Sequence, residues 1–289
     1  MKNNKLAFVV VTTFTITIVG AGLSLFFNRF INLTGFGVET TSMPQGTVLP
    51  PAVPQRETTA AVTYSPPSPQ DAPAAIREAV LLGANIMTET GKYAAPYVGN
   101  KLSCTNCHFK AGITHGGKNG GLSLVGVGAS YPQYRKRQDY AVDLETRTND
   151  CFQRSMNGRP LPEESKEMAA IVTYYQWISK GLPVFAEIPW LGLQHLKSTH
   201  APDNAKGTQL FDTKCSVCHG KIGEGTSAAP PVWGDTSFND GAGMHKSANL
   251  AAFAHLNMPL GNPDLSVEDA LDVAEYITAQ PRPHFSSKQ

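Results

Sequence analysis

Two five-residue stretches hold the side chains with the most specific chemistry in this 289-residue chain. They are Cys104-Thr105-Asn106-Cys107-His108 and Cys215-Ser216-Val217-Cys218-His219, each a C-x-x-C-H. Thiols at this spacing can form thioethers to the two vinyl groups of a haem, and the adjoining histidine can supply an axial nitrogen to its iron. A lone C-x-x-C would serve equally as a redox dithiol or as half a zinc site. A histidine directly after both pairs selects c-type haem attachment, twice. Cys104, Cys107, Cys215 and Cys218 are the attachment residues, and His108 and His219 the proximal iron ligands.

Each iron also has a distal face. In the second half of the chain Met258 lies 39 residues after His219, with Met244, Lys246 and His255 as the alternatives. A thioether on haem iron raises its potential, which suits an electron relay. In the first half the matching slot, 43 residues after His108, is Cys151, the one cysteine of five not used for attachment. Its alternative is Met156, with Cys151 then a packing residue. A thiolate ligand lowers the potential and is itself a nucleophile. A plain relay has little use for that; sulfur chemistry does. Close upstream stand Arg135-Lys136-Arg137 and Arg147. Guanidinium forks match the oxygens of tetrahedral oxyanions, although a solvated basic patch would read the same way, above all for Arg135 and Lys136.

The elements that must position these groups are mainly helical. Ile76, Val80, Gly83 and Met87 recur on one helical face ahead of the first motif. Met168, Ile171, Val172, Tyr175 and Ile178 form the stripe of a helix from about Glu163 to Lys180, which Gly181 ends. A short helix over Ala205–Lys214 precedes the second motif. A last one starts at Ser266, in a capping-box spacing to Asp269, and stops before Pro281. The Gly-rich stretch between His108 and Cys151 reads as mostly loop. Helix, C-x-x-C-H, loops and helix thus occur twice, the order of class I cytochrome c domains. The expected fold is mainly α, with two such domains in tandem over residues 73–185 and 186–289.

Ahead of them, Leu6–Phe27 is an uncharged, largely apolar run behind Lys2 and Lys5, long enough to span a bilayer. It is expected to anchor the chain (residues 1–27), with cleavage near Gly20-Ala21-Gly22 as the alternative. Residues 28–72 are rich in Pro and Thr and read as an extended, mobile linker. The haem domains then lie on the periplasmic side of a bacterial inner membrane, where c-type haem is attached. A net charge of +1 gives no argument for a nucleic-acid partner.

Both C-x-x-C-H motifs, the lone cysteine in Asn149-Asp150-Cys151-Phe152-x-x-Ser155 and the two arginines upstream of it resemble the di-haem thiosulfate dehydrogenases, also described as tetrathionate reductases, over about residues 75–285. The resemblance implies interconversion of thiosulfate and tetrathionate. It implies His108 and Cys151 on an active first haem, His219 and Met258 on a relaying second haem, and Arg137, Arg147 and Ser155 holding substrate. It also implies a periplasmic or membrane electron-transfer partner. Some relatives carry a lysine beside the methionine as an alternative ligand; here Asn257 stands in that position, a departure from their pattern. Two other functions share parts of the pattern. A non-catalytic di-haem carrier would have methionine on both irons. A sulfur-oxidation cytochrome would load thiosulfate onto a carrier protein.

Overall fold

The computed structural model describes residues 64–286, all within the compact unit Thr63–Gln289. The apolar run Leu6–Phe27 and most of the proposed linker lie outside them. Among the described residues no helix is long and apolar enough to cross a membrane.

Six helices carry the architecture: α1 (Ala74–Thr88), α2 (Leu144–Asp150), α3 (Lys166–Ile178), α4 (Asn204–Leu210), α5 (Ser247–Asn257) and α6 (Val267–Ala279). A hairpin of β1 (Gln133–Arg135) and β2 (Tyr140–Val142) precedes α2 and pairs antiparallel, Tyr134 opposite Ala141. Side chains define four of the helix starts. Asp143, Ser165, Asp203 and Ser266 each accept a hydrogen bond from a backbone N–H of the first turn, a cap worth about 0.5–2 kcal/mol.

The same helix crossing is built twice. In the first domain α1 packs on α3 at Gly83, where a Cβ would collide with the Ala170 carbonyl and the Tyr174 Cβ. In the second, α4 packs on α6 at Gly207, where a Cβ would collide with the Asp272 carbonyl. Glycine lets the backbones approach closely, and each crossing delivers a C-x-x-C-H motif to one side of its domain. Val80, Met87, Phe152, Ile171, Tyr174 and Ile178 fill the first core, and Phe211, Trp233, Val273 and Ile277 the smaller second one.

The domains share an interface. Leu102 of the first packs with Phe238 and Ala242 of the second. Asn100 Nδ2 donates to the Ser155 and Ser237 carbonyls at 2.8 and 2.9 Å. The buried Asn239 donates through Nδ2 to the Gln153 carbonyl at 2.8 Å and through its backbone N to the Arg154 carbonyl at 3.1 Å.

Several expectations need correction. The linker does not run to residue 72: Tyr64 Oη donates to the Ile178 and Lys180 carbonyls, and Trp177 Nε1 donates to the Ser68 carbonyl, so residues 64–72 pack on the first domain. Ile76 is exposed at the start of α1 rather than on the buried face of Val80, Gly83 and Met87. The region between His108 and Cys151 is mostly loop as expected, with the hairpin and α2 added. α5 replaces what reads as loop ahead of Met258.

Candidate functional site

His108 Nδ1 lies 2.9 Å from the Leu122 carbonyl and His219 Nδ1 2.7 Å from the Pro230 carbonyl. A carbonyl partner makes Nδ1 the protonated nitrogen in each ring, and the other nitrogen, Nε2, is then free to bind metal. Burial pushes the His108 imidazolium down to about 4, with the neighbouring Arg147 charge adding to it against the Leu122 bond. Burial lowers His219 too. Both rings are therefore neutral near pH 7, the form that ligates iron. Beside the second core, Arg282 gives Nη1 and Nη2 to the Val232 and Ile277 carbonyls while its Nε is buried without a partner. His245 Nδ1 is a second buried polar atom without a partner. An orphan guanidinium N–H against an apolar core suits a carboxylate of a haem. Thiol pairs, oriented histidines and a spare donor together fit two c-type haems.

α2 does not stop at Asp150. It widens into one π-helical turn, Cys151–Ser155, a departure from regular helix that recurs at functional sites. Arg147, one turn before Cys151 on the same face, directs Nη1 to Cys151 Sγ at 2.9 Å. The Cys151 charge in turn raises Arg147 well above the usual guanidinium range, against the effect of burial. Cys151 also sits beside the first attachment pair: Cys104 and Cys107 are pushed up to about 12, by burial first and with the Cys151 charge contributing. The spare thiol, the first C-x-x-C-H and Arg147 therefore belong to one site.

A cavity of about 350 Å³ opens over them, and its lining brings together Cys151, Arg137, Arg147 and Ser155. Arg135, Lys136, Arg154 and, from the second domain, Lys246 complete the cationic wall. The one carboxylate there, Asp150, is held by Arg154 at 3.1 Å and Gln138 at 2.6 Å. Burial lowers Arg137, and the charge of Arg154 lowers it further. Guanidinium groups crowded this way are short of negative charge, so the cavity suits a small dianion.

At the second haem site the competing residues separate. Met258 follows α5 directly, its N–H donating to the Ala254 carbonyl at 2.8 Å, and its side chain packs with the core that contains Phe211 and Cys215. Met244 packs instead on Leu102, Phe238 and Ala242 between the domains. Lys246 faces the first cavity, and His255 Nδ1 pairs with the Leu265 carbonyl at 2.9 Å. Met156, the alternative in the first domain, is buried beyond the π turn.

Residues 91–184 match the family described as SoxA/TsdA, cytochrome c domain, and residues 204–280 match the cytochrome c family. A thiosulfate dehydrogenase from Stutzerimonas stutzeri is 41% identical over 228 residues, 76% of this chain and 73% of that protein. One from Thiomonas intermedia is 40% identical over 246 residues, 81% of this chain and 77% of its own length. The chain belongs to the thiosulfate dehydrogenase family. It carries two cytochrome c domains in tandem, each built for a covalent haem. Among solved structures, the thiosulfate dehydrogenase TsdBA from Marichromatium purpuratum, in its as-isolated form, aligns with a TM-score of 0.70 at 32% identity. That match covers 76% of this chain and spans half of the longer TsdBA chain.

Two cations of this thiosulfate dehydrogenase family member's cavity, Arg154 and Lys246, are not assigned to it by the sequence, which offers Lys246 only as an alternative iron ligand. Arg154 has a local signal, since Arg147, Cys151, Arg154 and Ser155 recur at helical spacing and share a face. Lys246 has none. It arrives from the other domain, so only the fold brings it to the cavity of Cys151.

Proposed function

We propose that this protein oxidises two thiosulfate ions to tetrathionate and catalyses the reverse reduction, with Cys151 as redox nucleophile. The observation that carries this reading is the placement of Cys151 Sγ, hydrogen-bonded to Arg147 at 2.9 Å, in the lining of a cavity walled by cations. His108 and Cys151 would hold the first haem and His219 and Met258 the second; when bound, the two haems would supply one-electron carriers for the electrons released.

Arg137, Arg147 and Ser155 orient the first thiosulfate through its sulfonate oxygens, each charge-assisted bond worth roughly 1.5–3 kcal/mol. The Cys151 thiolate and the sulfane sulfur of that ion then form a disulfide bond, giving cysteine S-thiosulfonate and releasing two electrons. The sulfane sulfur of a second thiosulfate attacks the outer sulfur of that bond. Tetrathionate forms, and Cys151 leaves as thiolate with no net proton change. Arg135, Lys136 and Lys246 offset the charge of the second dianion. The reverse sequence, with two electrons supplied, splits tetrathionate.

The haem domains work on the periplasmic face of a bacterial inner membrane, held there by Leu6–Phe27 and exchanging electrons with a cytochrome or similar partner. The test uses purified holoprotein, with thiosulfate plus an artificial acceptor and with tetrathionate plus a reduced donor. Turnover is expected in both assays. The SoxA/TsdA domain match also favours a second reading, transfer of thiosulfate to a carrier protein. Turnover without any carrier decides against it; turnover that appears only when a carrier protein is added decides for it.

A further inference from the structure

Asn257, directly before Met258, is polar yet 1% exposed. Its partners lie in both domains. Asn257 Oδ1 accepts from the Gly121 N–H at 2.8 Å, and Nδ2 donates to the Phe253 carbonyl at 3.0 Å. The amide orientation is fixed, because the reverse one would set donor against donor at Gly121.

Gly121 belongs to the loop that orients the proximal histidine of the first domain. The next residue, Leu122, donates its N–H to the Cys107 carbonyl at 2.8 Å and offers its carbonyl to His108 Nδ1 at 2.9 Å. Gly121 has φ of +64° and lies so close to Cys107 and Phe109 that a Cβ would come 2.6 Å from the Cys107 carbonyl oxygen. The loop therefore has little freedom to shift relative to His108. A second tie runs alongside: the Asn119 N–H donates to the Leu256 carbonyl at 3.2 Å, and Asn119 Oδ1 accepts from the Gly261 N–H at 2.8 Å. The Phe109 ring meets the Phe253 ring edge-on, centroids 5.8 Å apart.

The loop carrying Met258 and the loop orienting His108 are thus one hydrogen-bonded body, with the buried Asn257 amide at its centre. We infer that Asn257 is a positioning residue that couples the ligand environments of the two haems: it holds Met258 at the end of α5 and, through Gly121 and Leu122, sets the hydrogen bond that makes His108 a strong donor to haem 1. This rests on the assignment of His108 and Met258 as axial ligands.

The test is Asn257→Leu, which keeps the side-chain size and removes both polar contacts. The two haem potentials are read by spectroelectrochemistry, and hydrogen exchange is followed in peptides covering residues 116–124, on the full-length holoprotein. The haem 1 potential is expected to rise, because a histidine released from the Leu122 carbonyl stabilises ferric iron less. Amide exchange in the 116–124 peptides is expected to speed up by tenfold or more, although the substitution is in the other domain. A haem 1 potential and loop exchange that both match wild type overturn the coupling, whatever happens to thermal stability. Wild-type protein with no methionine–iron absorption band at haem 2 contradicts the Met258 assignment instead, and the haem 1 readings still decide the coupling to His108. Should Asn257→Leu fail to incorporate haem, Asn257→Ser is read in the same way.

Discussion

Arg147 and Arg137 both line the cavity, but only Arg147 touches sulfur, with Nη1 2.9 Å from Cys151 Sγ. Their substitutions should therefore differ in kind. A hydrogen bond to a thiolate withdraws electron density from it, so Arg147→Gln leaves Cys151 a stronger donor. The haem 1 potential is expected to fall in a spectroelectrochemical titration while haem 2 stays unchanged. Arg137 has no contact with Cys151 and in the proposed mechanism meets only substrate. Arg137→Gln is expected to raise the thiosulfate concentration needed for half-maximal rate about tenfold or more, the loss of roughly 1.5–3 kcal/mol of charge-assisted bonding, with both haem spectra unaltered. If both variants raise that concentration and neither moves a potential, the Arg147–Cys151 contact has no electronic role. At this scale the sequence is highly readable. Cys151 stands out by the count of cysteines and by its distance from His108, and its arginines by charge close at hand. Arg135 and Lys136, readable equally as solvated surface, line the cavity because the end of β1 and the hairpin turn after it lie there.

The elements were less legible, for reasons found in the residues themselves. α3 and α6 carry clear apolar stripes and serine caps, and their ends fall within a few residues of expectation. α5 has no such stripe: Ala251, Ala252, Phe253 and Ala254 are consecutive and all buried, and no side chain caps its first turn. α2 is seven residues long and nearly all polar, with only Leu144 and Thr148 buried. Both escape a periodicity argument, although α2 leads into Cys151 and α5 into Met258. Met258→Gly is expected to lower the haem 2 potential and slow electron exit, leaving haem 1 as in wild type; an unchanged haem 2 spectrum and potential would remove Met258 as ligand. α6 also carries a buried charge. Asp272 is fully buried, its Oδ1 accepting from the Asp203 N–H at 2.7 Å and paired with His200 Nε2 at 2.6 Å. Burial alone would raise this carboxyl, but the Asp203 amide, His200 and Lys206 together hold it below the usual carboxylate range. A carboxylate with a depressed folded pKa stabilises fully above its unfolded value of about 4 and loses that contribution as pH falls through the folded value. Second-domain stability should therefore drop below about pH 4. Asp272→Asn is expected to cost roughly 1–3 kcal/mol at pH 7 and to flatten that acid limb. Urea midpoints measured from pH 3 to 7 check both, and parallel curves for the two proteins would show that Asp272 does not set the limb.

Across the whole molecule, the two domains form one working unit rather than a catalyst with an attached wire. The junction at Asn100, Leu102, Phe238 and Asn239 holds the π turn of Cys151 through its own backbone, since Gln153, Arg154 and Ser155 each give a carbonyl to it. The second domain places Lys246 in the cavity wall. The tandem order of the domains was readable from the repeated helix–C-x-x-C-H–helix pattern. Their mode of contact was not, because polar asparagines in loops leave no periodic trace.

Cys151 is the proposed reacting sulfur, and replacing it with another iron-binding sulfur tests that role most directly. Cys151→Met is expected to retain two covalent haems, with the haem 1 potential raised because a thioether replaces a thiolate. Thiosulfate oxidation and tetrathionate reduction should both collapse, since a thioether cannot form the S-thiosulfonate. Sustained turnover by the Cys151→Met holoprotein in either direction would show that Cys151 is not the reacting sulfur.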